Sequence, residues 1–74
     1  MEKSELNKKI GIYLKKKRLK KKLTQAELAS KVGTDFQNIS RIERGTINLT
    51  IYWLSKITDA LEMNMGDFIK NAIK

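Results

Sequence analysis

The chain contains no cysteine, no histidine and no proline among its 74 residues. Without cysteine, disulfides and thiolate metal sites are excluded, and a reducing compartment is the natural setting. Without histidine, the usual general base, the usual metal ligand and the physiological pH switch disappear together. No metal site, no cofactor and no catalytic residue are therefore expected, and no enzymatic activity. Apolar runs are short as well. None approaches the roughly 20 residues that span a bilayer, and "MEKSELNKKI" lacks the apolar segment of a signal peptide. A soluble cytoplasmic protein is expected, with no membrane partner and no evident small-molecule effector. The length fits one small domain, 1–74, near the lower limit of independent stability, and residues 1–5 are allowed to be loose.

Positive charge is what the chain has in excess. Sixteen Lys and Arg stand against eight Asp and Glu, leaving a formal charge of +8. Nine of the basic residues fall between Lys8 and Lys22, a stretch with no acid. Such a field attracts a polyanion, nucleic acid before an anionic membrane surface. A purely solubilising lysine face remains the alternative.

Helical periodicity runs through the whole chain, so an all-α fold of five helices is predicted. Leu6, Ile10 and Leu14, with Tyr13 beside them, mark the core face of a first helix ending near Lys21. Thr24, with Glu27 three residues on, has the capping-box pattern. Leu28, Ala29 and Val32 then line the inner face of a second helix, which Gly33 ends. Asp35 is placed to cap a third helix with Ile39 and Ile42 inward, closed by Gly45. Thr50 caps a fourth, built on Leu54, Ile57 and Leu61. Asn64, with Asp67 following, caps a very apolar fifth that carries Met65, Phe68, Ile69, Ala72 and Ile73.

Two charges fall on the inward stripes. The step of four after Leu14 lands on Arg18, and the step of four after Ile39 lands on Glu43. Desolvating a lone charge is expensive, so the economical arrangement pairs them across two helices. Glu43 then has a structural role, since no second acid, histidine or nucleophile accompanies it.

The outward face of the third helix carries Gln37, Arg41 and Arg44, with Asn38 and Ser40 on its flanks. Gln can bond adenine through N6 and N7, and Arg can fork onto guanine O6 and N7. Any solvated helix face can carry the same residues, so their setting matters. Two short helices joined by "VGTD" present a polar N-terminal end at Thr24 and Gln25, suited to a phosphate, and then this basic face. Phe36, at the border of the stripe, fits either the core or a thymine methyl.

The segments "LTQAELASKVG" at 23–33, "ISRIERG" at 39–45, "LSKITDAL" at 54–61 and the final "MGDF", with "IG" at 10–11, Leu14 and Arg18, resemble the lambda-repressor/Cro-type (Xre) helix-turn-helix family over about residues 10–68. The resemblance implies a lambda-repressor-like five-helix domain with its helix-turn-helix at 24–44. It also implies a transcriptional regulator whose third helix enters the major groove of double-stranded DNA. Carried over by position, Gln37, Ser40 and Arg41, with Phe36 and Asn38, would face base edges. Gln25 and Arg44 would hold phosphates, joined by Thr24, Thr46 and, from the basic cluster, Lys17. Lys22 and Glu62 depart from the pattern, each standing at a turn where the family often has glycine. Leu49, Ile51, Tyr52 and Trp53 likewise place apolar surface where proline and polar residues are common.

Compact members of this family, such as restriction–modification controllers and antitoxin-type autorepressors, often dimerise through the last two helices. Ile51, Trp53, Met65, Phe68, Ile69 and Ile73 are the corresponding interface candidates, with filling of the monomer core as the competing explanation. A homodimer on a palindromic operator is one reading. The other is an antitoxin whose apolar C-terminal region binds a toxin partner while the domain autoregulates its operon.

Overall fold

The computed structural model describes residues 1–74 as five helices without a strand. They are α1 (Lys3–Lys20), α2 (Gln25–Val32), α3 (Phe36–Glu43), α4 (Ile51–Ala60) and α5 (Met65–Ala72). Four start where a side chain can accept a backbone N–H. Thr24, Asp35, Thr50 and Asn64 accept from Glu27, Asn38, Trp53 and Asp67 respectively. Helix α1 has no side-chain cap and begins at Lys3, so residues 3–5 are helical rather than loose. No helix is long and apolar enough to cross a membrane.

The helices pack around one core, with α1 against α3 and α5, α2 against α3 and α4, and α4 against α5. Leu14, Leu28, Val32, Ile39, Ile57, Leu61 and Phe68 lie at its centre. On α1 the fully buried line is Gly11, Leu14 and Arg18. Leu6 and Ile10, expected on that line, are half-buried at its edge. Phe68 corrects the list of interface candidates. It is fully buried within one chain, with its ring 5.0 Å from Tyr13 in an edge-on arrangement. Helix α5 carries one apolar stripe, Met65, Phe68, Ile69 and Ala72, opposite Asp67, Lys70 and Asn71, and its spacing alone does not say whether that stripe meets the core or a partner.

The first four helices end in the same way. A residue in the left-handed conformation follows, and the next N–H reaches back five residues: Leu23 to Arg18, Thr34 to Ala29, Thr46 to Arg41 and Met63 to Thr58. This is the hydrogen bond that closes a Schellman motif. Gly33 and Gly45 fill two of the left-handed positions, with φ of 89° and 72°. Lys22 and Glu62 fill the others, both at φ 58°. A side chain there costs about 1 kcal/mol or more, partly offset by the greater unfolded freedom of glycine. Lys22→Gly is therefore expected to stabilise the domain by about 0.5–1 kcal/mol, raising Tm by a few degrees. A thermal melt checks this, and an unchanged or lower Tm would show that the turn at 21–23 is unstrained. Glu62→Gly is expected to gain less, because it also removes the exposed Lys21–Glu62 pair at 3.0 Å.

Candidate nucleic-acid interface

Helices α2 and α3 and their connection, residues 33–35, build the site. Gly33 turns the chain out of α2, and Asp35 starts α3 three residues before the N–H it caps. Ile39, Ile42 and Glu43 face inward, whereas Gln37, Arg41 and Arg44 are exposed. Sequence periodicity predicted this division.

Behind the outward face, Arg18 and Glu43 are buried and paired. Arg18 Nε donates to Glu43 Oε2 at 2.6 Å and Nη2 to Oε1 at 3.1 Å. The remaining Arg18 nitrogen, Nη1, donates to the Leu23 carbonyl at 2.8 Å. A fork-on-fork pair with a further acceptor is the arrangement in which buried charges are tolerated. Gln25 adds a bond that the sequence did not reveal, donating from Nε2 to Glu43 Oε1 at 3.0 Å. Glu43 thus binds α1, the start of α2 and the end of α3 together. The sequence offered for Gln25 a place in the first turn of α2 and, by resemblance, a phosphate, and neither directs its side chain to Glu43.

At the start of α2, the Thr24 N–H donates to Glu27 Oε1 at 2.8 Å, and Thr24 Oγ1 accepts from the Glu27 N–H at 3.0 Å. The Thr24 backbone donor is therefore engaged. The Gln25 and Ala26 N–H groups remain as the first-turn donors a helix leaves without an internal partner, and the Thr24 hydroxyl keeps its own proton. The bond its carboxyl accepts from the Thr24 N–H, and then the Thr24 hydroxyl beside that carboxyl, hold Glu27 below its ordinary value. Because the folded value is the lower one, this cap's contribution is complete at neutral pH. It is lost as pH falls through the depressed value.

The other candidates divide by surroundings. Phe36 is 53% exposed, so its core reading is overturned and it stands beside Gln37 at the start of the outward face. Ser40 and Asn38 are half-buried on the flanks of that face. Arg44 Nε donates to the Ser40 carbonyl at 3.3 Å, and Thr46 Oγ1 donates to the Arg41 carbonyl at 3.1 Å. Lys17 has different neighbours. Its ammonium lies 5.3 Å from the Tyr13 ring centre and lines a cleft of about 370 Å³ with Lys20, Lys21, Leu61, Glu62 and Met63. The structure thus brings Lys17 to the α4–α5 turn rather than beside Gln37 and Arg41.

Two apolar patches accompany the interface candidates. Ile51 and Tyr52 are exposed at the start of α4. There Tyr52 meets half-buried Trp53 edge-on at 5.6 Å, with Lys56 over both rings. On α5, Met65 and Ile69 are half-buried, and Ile73, which follows its last residue, is exposed. Tyr52 was not among the interface candidates, although its exposure exceeds that of Trp53.

A helix-turn-helix family model matches residues 14–68. No curated protein matches the sequence. Among solved structures, the clp gene regulator ClgR from Corynebacterium glutamicum superposes with a TM-score of 0.88 at 26% identity, covering 92% of this chain and 72% of that one. The restriction-modification controller protein C.Esp1396I, solved as a tetramer in complex with its natural 35 base-pair operator, gives 0.83 at 41% identity over 92% of this chain and 90% of that one. The controller protein C.AhdI from Aeromonas hydrophila gives 0.81 at 29% identity over 84% and 94%. The family match covers most of the sequence and the controller proteins share the five-helix fold, so the chain belongs to the lambda-repressor/Cro-type (Xre) helix-turn-helix family of DNA-binding regulators.

Proposed function

We propose that the protein is a sequence-specific regulator of transcription that acts in the cytoplasm as a homodimer on a palindromic operator. It works by binding, not catalysis. Helix α3 lies in the major groove, with Gln37, Ser40 and Arg41 against base edges and Phe36 against a thymine methyl. Gln25 with the free N–H groups of α2, Thr24, Arg44 and Thr46 hold the flanking phosphates. The observation that carries this reading is the junction at Glu43. It fixes the N-terminus of α2 against α3 while leaving the polar face of α3 exposed. The C.Esp1396I complex supports double-stranded DNA as the ligand. The exposed apolar residues Ile51 and Ile73 support a second copy of the chain at α4 and α5. A two-fold dimer of this kind sets its reading helices about 34 Å apart.

Selection from a random double-stranded pool at about 150 mM salt tests the reading, because weaker electrostatic binding to arbitrary sequence is suppressed there. Two inverted half-sites one helical turn apart are expected, and a bound fraction without a motif would overturn it. Within the recovered site the two arginines are expected to separate. Arg41→Ala relaxes discrimination at one base pair by about 1–3 kcal/mol. Arg44→Ala weakens all sequences alike and lowers the slope of log K against log salt by about 0.9. Equal losses on operator and random DNA for both variants would remove the distinction.

A further inference from the structure

We infer that Asn38 is a positioning residue for Arg41 rather than a reader of bases, and that Thr34 in the turn fixes Asn38. The inference rests on the reading of α3 as the base-reading helix and assigns how one of its contacts becomes specific. Asn38 Nδ2 donates to Thr34 Oγ1 at 2.7 Å, and Arg41 Nη1 donates to Asn38 Oδ1 at 3.1 Å. The orientation of the amide follows from chemistry. A guanidinium has only donors, so the amide oxygen must face Arg41 and the nitrogen must face the hydroxyl.

Each link in this chain is anchored. Thr34 sits where the backbone leaves α2, its own N–H held by the Ala29 carbonyl at 2.9 Å. Its β-branched side chain has little freedom at χ1. Asn38 is fixed at its backbone by Asp35 Oδ1, 2.9 Å from its N–H. It also forms part of the wall of a small apolar cleft with Val32, Ile39, Ile47 and Trp53. The Arg41 carbonyl accepts from both the N–H and the hydroxyl of Thr46, each at 3.1 Å.

This arrangement acts on recognition through entropy and geometry. An unrestrained arginine must be frozen when it binds, and that cost falls on the contact it makes. Here one of its five N–H donors is already used to hold the side chain. The Nε and Nη2 donors remain for a guanine edge, which a fork requires. An asparagine reading adenine would need its oxygen and nitrogen both turned to the base, and in this structure the nitrogen is engaged by Thr34 and the oxygen by Arg41.

The test measures binding of the operator, and of each single-base variant, to the wild-type protein, Arg41→Ala, Asn38→Ala, Thr34→Val, Asn38→Asp and the Arg41→Ala/Asn38→Ala pair. Thermal melts confirm that each is folded. Asn38→Ala is expected to reduce discrimination threefold to tenfold at the base pair that Arg41→Ala flattens, and at no other. Thr34→Val acts in the same direction at the same pair. The double variant matches Arg41→Ala alone there. Asn38→Asp keeps an acceptor for Arg41, so it restores the preference while its added charge weakens all sequences. Loss of discrimination at a different base pair would make Asn38 a reader and overturn the inference, as would full discrimination in Asn38→Ala. If Arg41→Ala flattens no position, the assignment of α3 residues fails and the inference falls with it.

Discussion

Glu43→Ala is expected to unfold the domain or bring it to the edge of unfolding. Arg18 and Glu43 are 6% and 8% exposed, so neither charge can turn to water without opening the core. Removing the carboxylate leaves the guanidinium with a single acceptor, the Leu23 carbonyl, and deprives Gln25 of its partner. Breaking a buried pair from one side commonly costs about 3–5 kcal/mol. A chain of this length has only roughly 4–11 kcal/mol in all. Glu43→Gln keeps the shape but not the charge and is expected to lose most of the same stability. Arg18→Met combined with Glu43→Leu removes both charges at similar volume, so it is expected to recover much of the loss. Urea unfolding of the three proteins checks the series. A Glu43→Ala variant within 1 kcal/mol of wild type would mean that the pair is solvated in solution and does not organise the core.

Features governed by local spacing were legible in the sequence. Thr24, Asp35, Thr50 and Asn64 cap as predicted, because a cap depends on residues three apart in one chain segment. The Arg18–Glu43 pair was legible for a related reason. Two inward charges on different stripes have one economical solution, whatever the angle between the helices. Contacts that depend on that angle were not legible. Nothing in the spacing of Gln25 directs its amide to Glu43, and nothing in that of Asn7 directs it to Asn48, 2.8 Å away across 41 residues. Phe68 could not be assigned to core or interface because an apolar stripe on a terminal helix looks the same whether its own chain or a second one covers it. The outward face of α3 was readable as a face, but the engagement of Asn38 needed the position of Thr34.

Gly11→Ala is the second large effect expected, and it runs against helix propensity. In a helix interior alanine is favoured over glycine by about 1 kcal/mol, so an isolated α1 peptide gains helicity from the change. In the folded domain a Cβ at this position would lie 2.4 Å from the Ile42 carbonyl oxygen and 2.5 Å from that of Glu43. Ordinary contact begins near 3.4 Å, so the methyl is about 1 Å too close. Both obstacles are backbone, and no rotamer change relieves them. Helix α1 must then move away from the end of α3. Arg18 lies two turns further along the same buried line, so the movement also stretches its bonds to Glu43. Overpacking of this kind costs about 1–3 kcal/mol before any effect on a pair. A net loss of about 2 kcal/mol is expected for alanine, more for valine, and weaker operator binding as α3 shifts against α2. The measurement is the opposite sign in peptide and protein: helicity rising in the α1 peptide while Tm falls in the domain. A Tm that rises with Gly11→Ala would mean that α1 and α3 stand further apart in solution, and that glycine is not required for their approach.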